Sequence, residues 1–297
     1  MSPSEIRFDY HSHHHRCGHA SGDISDYIER ALSLGMVAFG VSDHGPAYWL
    51  PGDHDQPLTQ MAKSELPRYV EEGRNLQRHY RDRIAVRVGL EADYIEGREA
   101  ELATILAAHS FDYVLGSVHY AFGRNIFNPA RWTHPVPAVY EEYYRLVAKA
   151  AASGLFDILS HLTAVEAYAP PPTDAQAEQF YVPVADAVAA SGAVVEINTS
   201  GYRKMGGDEP FPNRRMLRLL IERGVPLTFS SDCHSPAEVG FGRERVAGLL
   251  RELGIETSEA QPVRRKSRQT PGGSDGRGEV IAFQPTPNQG QPNESGA

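Results

Sequence analysis

The chain lacks several features that define whole classes of protein. No stretch of its 297 residues approaches the roughly 18 apolar residues of a membrane-spanning helix, and residues 1–7 have no apolar core of a secretory signal. It contains only 2 cysteines, too few for a disulfide framework. Its 38 acidic residues outnumber its 29 basic ones, and the net charge of −9 argues against nucleic-acid binding. We therefore expect a cytoplasmic protein without a membrane or nucleic-acid partner.

The C-terminal segment differs in composition from the rest of the chain. Residues 257–297 are rich in proline and glycine, contain few apolar side chains and show no sustained periodicity. Such a segment cannot bury enough apolar surface to offset its conformational entropy. The sequence thus predicts one folded domain over residues 1–256 and a disordered tail over residues 257–297.

A repeated unit indicates alternating helices and strands. Gly35, Gly154, Gly192 and Gly224 each stand between a predicted helix and a β-branched apolar run, where glycine accepts the left-handed conformation that ends a helix. Repeats of this kind favour a parallel sheet. Strands are predicted at residues 6–13, 36–44, 84–93, 111–120, 156–162, 193–199 and 226–234. Seven such units favour a closed β/α barrel, and an open doubly wound sheet is the alternative.

Helices are predicted between these strands, each from its apolar spacing and its end signals. One of them, at residues 59–81, contains Pro67, which predicts a boundary or a kink. The predicted helices cover residues 24–33, 59–81, 96–108, 138–153, 175–191, 214–223 and 238–253.

Histidines and carboxylates stand at the predicted carboxyl ends of six of the seven strands. In a β/α barrel these ends carry the functional groups. Two of the pairs are spaced i, i+2, which places both side chains on one face of a strand. Each residue alone fits a structural role, but their shared position predicts a metal site. The candidates are His11, His13, Asp43, His44, Glu91, Asp93, His119, His161, Asp232 and His234.

The types of these residues limit the choice of metal. Imidazoles and carboxylates without thiolate spacing suit Zn, Mn or Fe, and we interpret Cys17 and Cys233 as packing residues. The candidates exceed the about four to six ligands of one ion, which indicates two or three divalent ions that share a carboxylate. Paired ions of this kind activate water for in-line displacement at phosphorus. The pattern therefore points to hydrolysis of a phosphate ester.

The ordered motifs resemble those of the PHP (polymerase and histidinol phosphatase) superfamily. The opening run Asp9-Tyr-His11-Ser-His13, followed by Arg16-Cys-Gly-His19, is similar to its first motif. The later motifs follow in order around His44, Glu91, His119, His161 and Asp232-Cys-His234. Residues 91–95, 116–120 and 196–204 narrow the resemblance to the monofunctional histidinol-phosphatases, and it covers about residues 6–254.

The resemblance implies a distorted, TIM-like (β/α)7 barrel with a three-ion centre. It assigns the first ion to His11, His13, Glu91 and Asp232. Glu91 would bridge to a second ion held by His119 and His161, and the third would be held by His19, His44 and His234. A hydroxide between the ions would attack phosphorus, with Asp232, Glu91 and His234 as catalytic residues. Arg203 is similar to the family's phosphate-binding arginine, and Arg16 is a second candidate for that role.

The resemblance also implies a substrate, a small-molecule phosphate monoester. We expect hydrolysis of L-histidinol phosphate to L-histidinol and phosphate in histidine biosynthesis. The chain departs from the family after His161, where related phosphatases usually have an Asp and one or two basic residues and this chain has neither. That departure keeps open a PHP phosphoesterase acting on a nucleotide or sugar phosphate. A non-catalytic metal-binding barrel is a further alternative, against which the complete ligand set argues.

Overall fold

Seven parallel strands form the centre of the protein in the computed structural model, which describes residues 6–53, 59–204, 207–257, 260–263 and 279–285. A parallel bridge between Ser12 and Cys233 joins the first strand to the last, so the sheet closes on itself. The predicted barrel is confirmed, and the open sheet is excluded. In chain order the strands are β1 (Phe8–Asp9), β2 (Ala38–Val41), β3 (Ala85–Asp93), β4 (Tyr113–Ser117), a hairpin of β5 (Tyr120–Ala121) and β6 (Arg124–Asn125), then β7 (Ile158–Leu159), β8 (Val194–Asn198) and β9 (Leu227–Ser230).

Helices follow the strands, as the repeated unit predicts. The predicted boundary before Pro67 is a 3-10 turn, Lys63–Glu65, which leads into the second helix. In the described residues no helix is long and apolar enough to cross a membrane. The helices are α1 (Ile24–Ser33), α2 (Leu66–Tyr80), α3 (Glu99–Ala108), α4 (Val136–Ala152), α5 (Asp174–Ser191), α6 (Ser200–Lys204), α7 (Arg214–Glu222) and α8 (Arg243–Glu252).

Two elements beside the predicted site were not predicted, the hairpin β5–β6 and the short helix α6. Each strand of the hairpin has two residues, and α6 has five. Elements this short contain too few residues to show a periodic pattern. Both lie beside the carboxyl ends of the barrel strands, where they contribute to the functional site.

The interior of the barrel is filled by side chains rather than open. The buried ring of Tyr113 lies against Gly89, where an added Cβ would come within 2.4 Å of it. The Tyr113 hydroxyl donates a hydrogen bond to the backbone oxygen of Tyr10 at 2.7 Å. The ring thus connects β4 to the chain after β1 through the centre of the barrel.

Part of the C-terminal segment is folded. β10 (Gln261–Val263) pairs in antiparallel fashion with β11 (Val280–Ala282). Phe283 is fully buried, and its backbone exchanges two hydrogen bonds with Leu227 at the start of β9. Its ring centroid lies 5.5 Å from that of Phe8 in β1. The segment therefore packs against the ends of strands opposite the predicted site.

These residues correct the prediction of a disordered tail over residues 257–297. Val280, Ala282 and Phe283 are buried, and they form a compact apolar group within a polar segment. The average composition of the segment concealed that group. Residues 258–259, 264–278 and 286–297 lie outside the described residues.

We expect Phe283→Ala to lower the free energy of unfolding by about 3–5 kcal/mol, because it removes a fully buried aromatic ring from the base of the barrel. Urea unfolding followed by circular dichroism measures the change. Gln284→Ala, at the exposed neighbouring position, is the matched control. Equal stability of the Phe283 variant and the unaltered protein would contradict the packing described for this segment.

Candidate metal centre

The carboxyl ends of the barrel strands bring the nine metal ligands that the family resemblance implies into one cluster. Two histidines follow β1, one follows each of β2, β4 and β7, and Asp232 and His234 follow β9. Glu91 lies inside β3, and His19 comes from the loop after the first strand. We refer to these side chains as the ligand cluster: His11, His13, His19, His44, Glu91, His119, His161, Asp232 and His234.

Glu91 occupies the centre of the ligand cluster. Its side chain is buried, and both of its oxygens face imidazole nitrogens. Oε2 lies 2.7 Å from His44 Nδ1, and Oε1 lies 3.1 Å from His161 Nε2. Three further ring nitrogens lie within 3.5 Å of the carboxylate, those of His11, His13 and His119. This carboxylate therefore has the position of a bridging ligand.

Asp232 forms the other acidic part of the cluster. Its Oδ1 lies 3.1 Å from His13 Nε2 and 3.9 Å from His11 Nε2. His234 Nδ1 lies 3.7 Å from the same oxygen, and His234 Nε2 lies 3.0 Å from His19 Nε2. The cluster thus extends from Glu91 through Asp232 to a pair of histidines.

Unpaired buried atoms show that these residues fit a metal. Among the described residues, His11 Nε2 is buried without a hydrogen-bond partner. Glu91 Oε2 is also buried, and its short contact with His44 Nδ1 does not have the geometry of a hydrogen bond. Buried polar atoms normally have partners. Ligand atoms of three overlapping groups lie within 4.8 Å of one another: His11 with His13 and Glu91, His44 with Glu91 and His119, and His13 with His44 and His234. Nitrogen and oxygen donors in such groups suit divalent transition metals.

A second set of carboxylates orients the histidine rings. Glu196 Oε2 lies 2.9 Å from His11 Nδ1, and Asp93 Oδ1 lies 2.9 Å from His119 Nδ1. Asp43 faces His13 Nδ1 at 3.4 Å. Carboxylates on the far nitrogen fix the tautomer and direction of a ligating imidazole.

Glu196 is the functional residue that sequence reasoning missed. It also accepts hydrogen bonds from the backbone N–H of His161 at 2.9 Å and from Asn198 Nδ2 at 2.7 Å. The strand that carries it ends without a histidine, so it did not match the pattern of the other six. Its i, i+2 spacing from Asn198 on a buried strand is the signal that could have identified it.

The pKa values of the cluster follow from its charges. Burial alone would raise the pKa of Glu91, but His44, His11 and His119 hold it well below its usual range. Burial alone would lower the pKa of His11, yet Glu196, Glu91 and Asp232 raise it to about 10. The metal-free cluster therefore keeps the Glu91 carboxylate charged and holds a proton on His11.

The backbone is unusual at two ligands. His161 has a φ of 28° and Asp232 a φ of 53°, both in the left-handed region that favours glycine. Such conformations cost free energy and are concentrated at functional sites.

A cavity of about 400 Å³ opens above the ligand cluster. Seven of the nine cluster residues form its floor, all except His11 and His13. The hairpin β5–β6 and its neighbours supply Tyr120, Asn125 and Phe127, and Tyr168 follows β7. The remaining described residues of the wall are Thr59, Gln60, Arg203, Lys204 and Glu238.

The two predicted phosphate-binding arginines have different positions. Arg203 lines the cavity, and its Nη2 donates to the backbone oxygen of Asp232 at 2.9 Å. Its Nη1 is buried without a hydrogen-bond partner among the described residues. Arg16 is not among the described residues that line the cavity, and its Nη2 donates to Glu72 of α2 at 2.6 Å. The structure thus brings Arg203, but not Arg16, to the cavity.

The fold and the ligand cluster together define a β/α barrel with a metal-binding site at the carboxyl ends of its strands. The PHP domain family matches residues 9–200, and the PHP-associated family matches residues 210–251. A probable histidinol-phosphatase of Deinococcus radiodurans is 35% identical over 256 residues, which cover 84% of this chain and 94% of that protein. The histidinol-phosphatase of Bacillus subtilis is 28% identical, over 80% of this chain and 96% of that protein. The chain belongs to the PHP superfamily and, within it, to the histidinol-phosphatase family.

Solved structures agree with this fold. A candidate histidinol phosphatase of Listeria monocytogenes superimposes with a TM-score of 0.72 at 20% identity, over 80% of this chain and 99% of that one. A histidinol phosphate phosphatase of Lactococcus lactis superimposes with a TM-score of 0.68 at 19% identity, over 84% of this chain and 94% of that one. That second protein was solved in complex with zinc, L-histidinol and phosphate.

We expect Glu196→Gln to weaken metal binding by about 10–100-fold, because His11 loses the carboxylate that fixes its ring. Titration of metal-free protein with Zn²⁺ against a competing chelator measures the affinity. Glu96→Gln, at an exposed ion pair with Arg145, is the matched control. Zinc affinity equal to that of the control would show that Glu196 does not support the site.

Metal binding should release protons and strengthen as the pH rises. Since the pKa of His11 is raised to about 10 in the metal-free protein, an ion must displace its proton near neutral pH. Calorimetry in buffers of different ionisation enthalpy, between about pH 6 and pH 8, measures the number of protons released. Zinc affinity that does not change over this range, with no proton release, would contradict the charge arrangement around His11.

Proposed function

We propose that the protein is a metal-dependent histidinol-phosphatase, which hydrolyses L-histidinol phosphate to L-histidinol and phosphate in histidine biosynthesis. The observation that carries the proposal is a cluster of nine histidines and carboxylates, seven of which line a cavity that also contains Arg203. Relatives that cover most of the chain are named for this activity. The Lactococcus lactis protein with the same fold binds L-histidinol, phosphate and zinc.

The ligand cluster would hold two or three divalent ions, and Zn, Mn and Fe suit its donors. The first ion would be held by His11, His13, Glu91 and Asp232. The second would be held by Glu91, His119 and His161. The third would be held by His19, His44 and His234. When bound, such ions lower the pKa of water and neutralise the charge of a phosphoryl group.

The residues of this chain have separate tasks in the proposed reaction. Arg203 presents an unpaired guanidinium nitrogen that can donate to a phosphate oxygen, and its planar fork suits such a ligand. Glu91, Asp232 and His234 would hold the ions, and Glu196 and Asp93 orient the rings of His11 and His119. These residues all lie within residues 1–256, which we propose as the catalytic domain.

A second candidate is a phosphoesterase of the same family that acts on a nucleotide or sugar phosphate. The segment after His161, residues 162–168, favours this candidate, because it lacks the basic residues that related phosphatases usually have there. Its Glu166 is buried and accepts a hydrogen bond from Asn213 Nδ2 at 3.1 Å, facing away from the cavity. The two candidates share the reaction and differ in the alcohol that is released.

Release of phosphate from a panel of monoesters by the metal-reconstituted protein distinguishes the candidates. We expect kcat/KM to be highest for histidinol phosphate, compared with nucleotides, sugar phosphates and an aryl phosphate. A rate on histidinol phosphate no higher than on the aryl phosphate would reject the assigned substrate. No turnover of any monoester, with ions bound, would favour a non-catalytic metal-binding barrel.

Glu91→Gln and Asp232→Asn should each lower kcat by at least about a hundredfold, because each removes a charged ligand from the cluster. Initial rates on the best monoester measure the loss. Glu96→Gln and Asp82→Asn, both at exposed positions, are the matched controls. Near-normal rates in both cluster variants would reject this site as the place of reaction.

A further inference from the structure

The cavity contains two fixed cations besides its histidines, and both belong to α6. Among the described residues that line it, Arg203 and Lys204 are the only lysine or arginine side chains. Residues after β7, on the neighbouring part of the rim, contribute His161 and Tyr168 but no cation. A phosphate monoester carries about two negative charges near neutral pH. Its recognition outside the ligand cluster therefore depends on α6.

The two cations converge on Asp232 from different sides. Arg203 Nη2 donates to the backbone oxygen of Asp232, while Lys204 Nζ lies 3.6 Å from its Oδ2. Gly201 allows α6 to lie close to the segment that follows it, because a Cβ there would meet the backbone oxygen of Glu209 at 2.7 Å. The two side chains, which are neighbours in sequence on α6, thus both contact Asp232 at the edge of the ligand cluster.

The contacts of Lys204 leave its ammonium suited to a further ligand. Its hydrogen bond to Ser200 Oγ is long, at 3.4 Å, and its distance to Asp232 exceeds that of a charge-assisted hydrogen bond. The ammonium lies 4.7 Å from the ring centroid of Phe127, which follows the hairpin β5–β6 and also lines the cavity. The ring holds the cation in place without using any of its three N–H donors.

We propose that Lys204 is a second substrate-binding cation, which donates to a phosphate oxygen beside Arg203. The pair forms an anion subsite on α6, between the ligand cluster and Phe127. This inference rests on the proposed function only in that the cavity binds a phosphate monoester, since it does not depend on the alcohol to which the phosphate is attached.

A structural role for Lys204 predicts a different outcome. If the ammonium served only to balance the charge of Asp232, its loss would alter metal binding and leave phosphate affinity of the metal-loaded protein unchanged. If it binds phosphate, its loss weakens phosphate binding even when the ligand cluster is saturated with metal. Phosphate affinity at saturating metal therefore separates the two roles.

The experiment compares Lys204→Met, Lys204→Arg and the unaltered protein, each saturated with Zn²⁺. Lys149→Met, at an exposed lysine paired with Glu96, is the matched control. Metal content is measured by elemental analysis, the Kd of inorganic phosphate by calorimetry, and KM and kcat with an aryl phosphate. We expect Lys204→Met to weaken phosphate binding by about 10–100-fold, with normal metal content and a larger effect on KM than on kcat. Lys204→Arg should restore most of the affinity.

Unchanged phosphate affinity in Lys204→Met would overturn the inference, whether or not metal content falls. An equal loss of affinity in Lys149→Met would also overturn it, because the effect would then be one of overall charge. Failure of the proposed function is a separate result. If histidinol phosphate is not hydrolysed but Lys204→Met still weakens phosphate binding, the anion subsite is retained and only the assigned substrate is rejected.

Discussion

The burial of Glu91 among five imidazole rings is the interaction on which the rest of the site depends. A carboxylate in the interior is costly unless opposite charges or hydrogen bonds compensate for the lost hydration. Here the surrounding rings compensate, and Glu196, Asp93 and Asp43 in turn hold those rings by their far nitrogens. The outer carboxylates thus orient the imidazole rings, and the imidazole rings in turn surround the Glu91 carboxylate. A divalent cation is the species that such a centre would favour.

The ligand cluster depends on the closure of the barrel. Each strand contributes few functional atoms, and only closure of the sheet brings the ends of β1 and β9 together. The left-handed backbone at His161 and Asp232 turns two side chains towards the centre at the points where their strands end. The conformational cost at these positions is offset by the close packing around them.

The sequence was sufficient to predict the seven barrel strands, most of the helices and the nine side chains of the ligand cluster, because hydrophobic periodicity and motif order are local signals. The positions of Arg16, Glu196 and Lys204 could not be predicted, since each depends on a partner far away in sequence: Glu72 on α2, His11 after β1, and Phe127 in the hairpin. The β11 strand was missed because three apolar residues are diluted by a polar segment. Short elements and contacts between residues far apart in sequence were therefore what the sequence could not predict.

The contact between Phe8 and Phe283 has a consequence for how the chain folds. The first strand of the barrel reaches its final packing only after a residue near the other end of the described chain is in place. Contacts of such large sequence separation form late and slow the search for the native state. During synthesis, β1 must wait for the C-terminal segment to leave the ribosome before its apolar face is fully covered. The nascent chain is therefore more exposed to aggregation until residues 279–285 have been synthesised and have packed against β1.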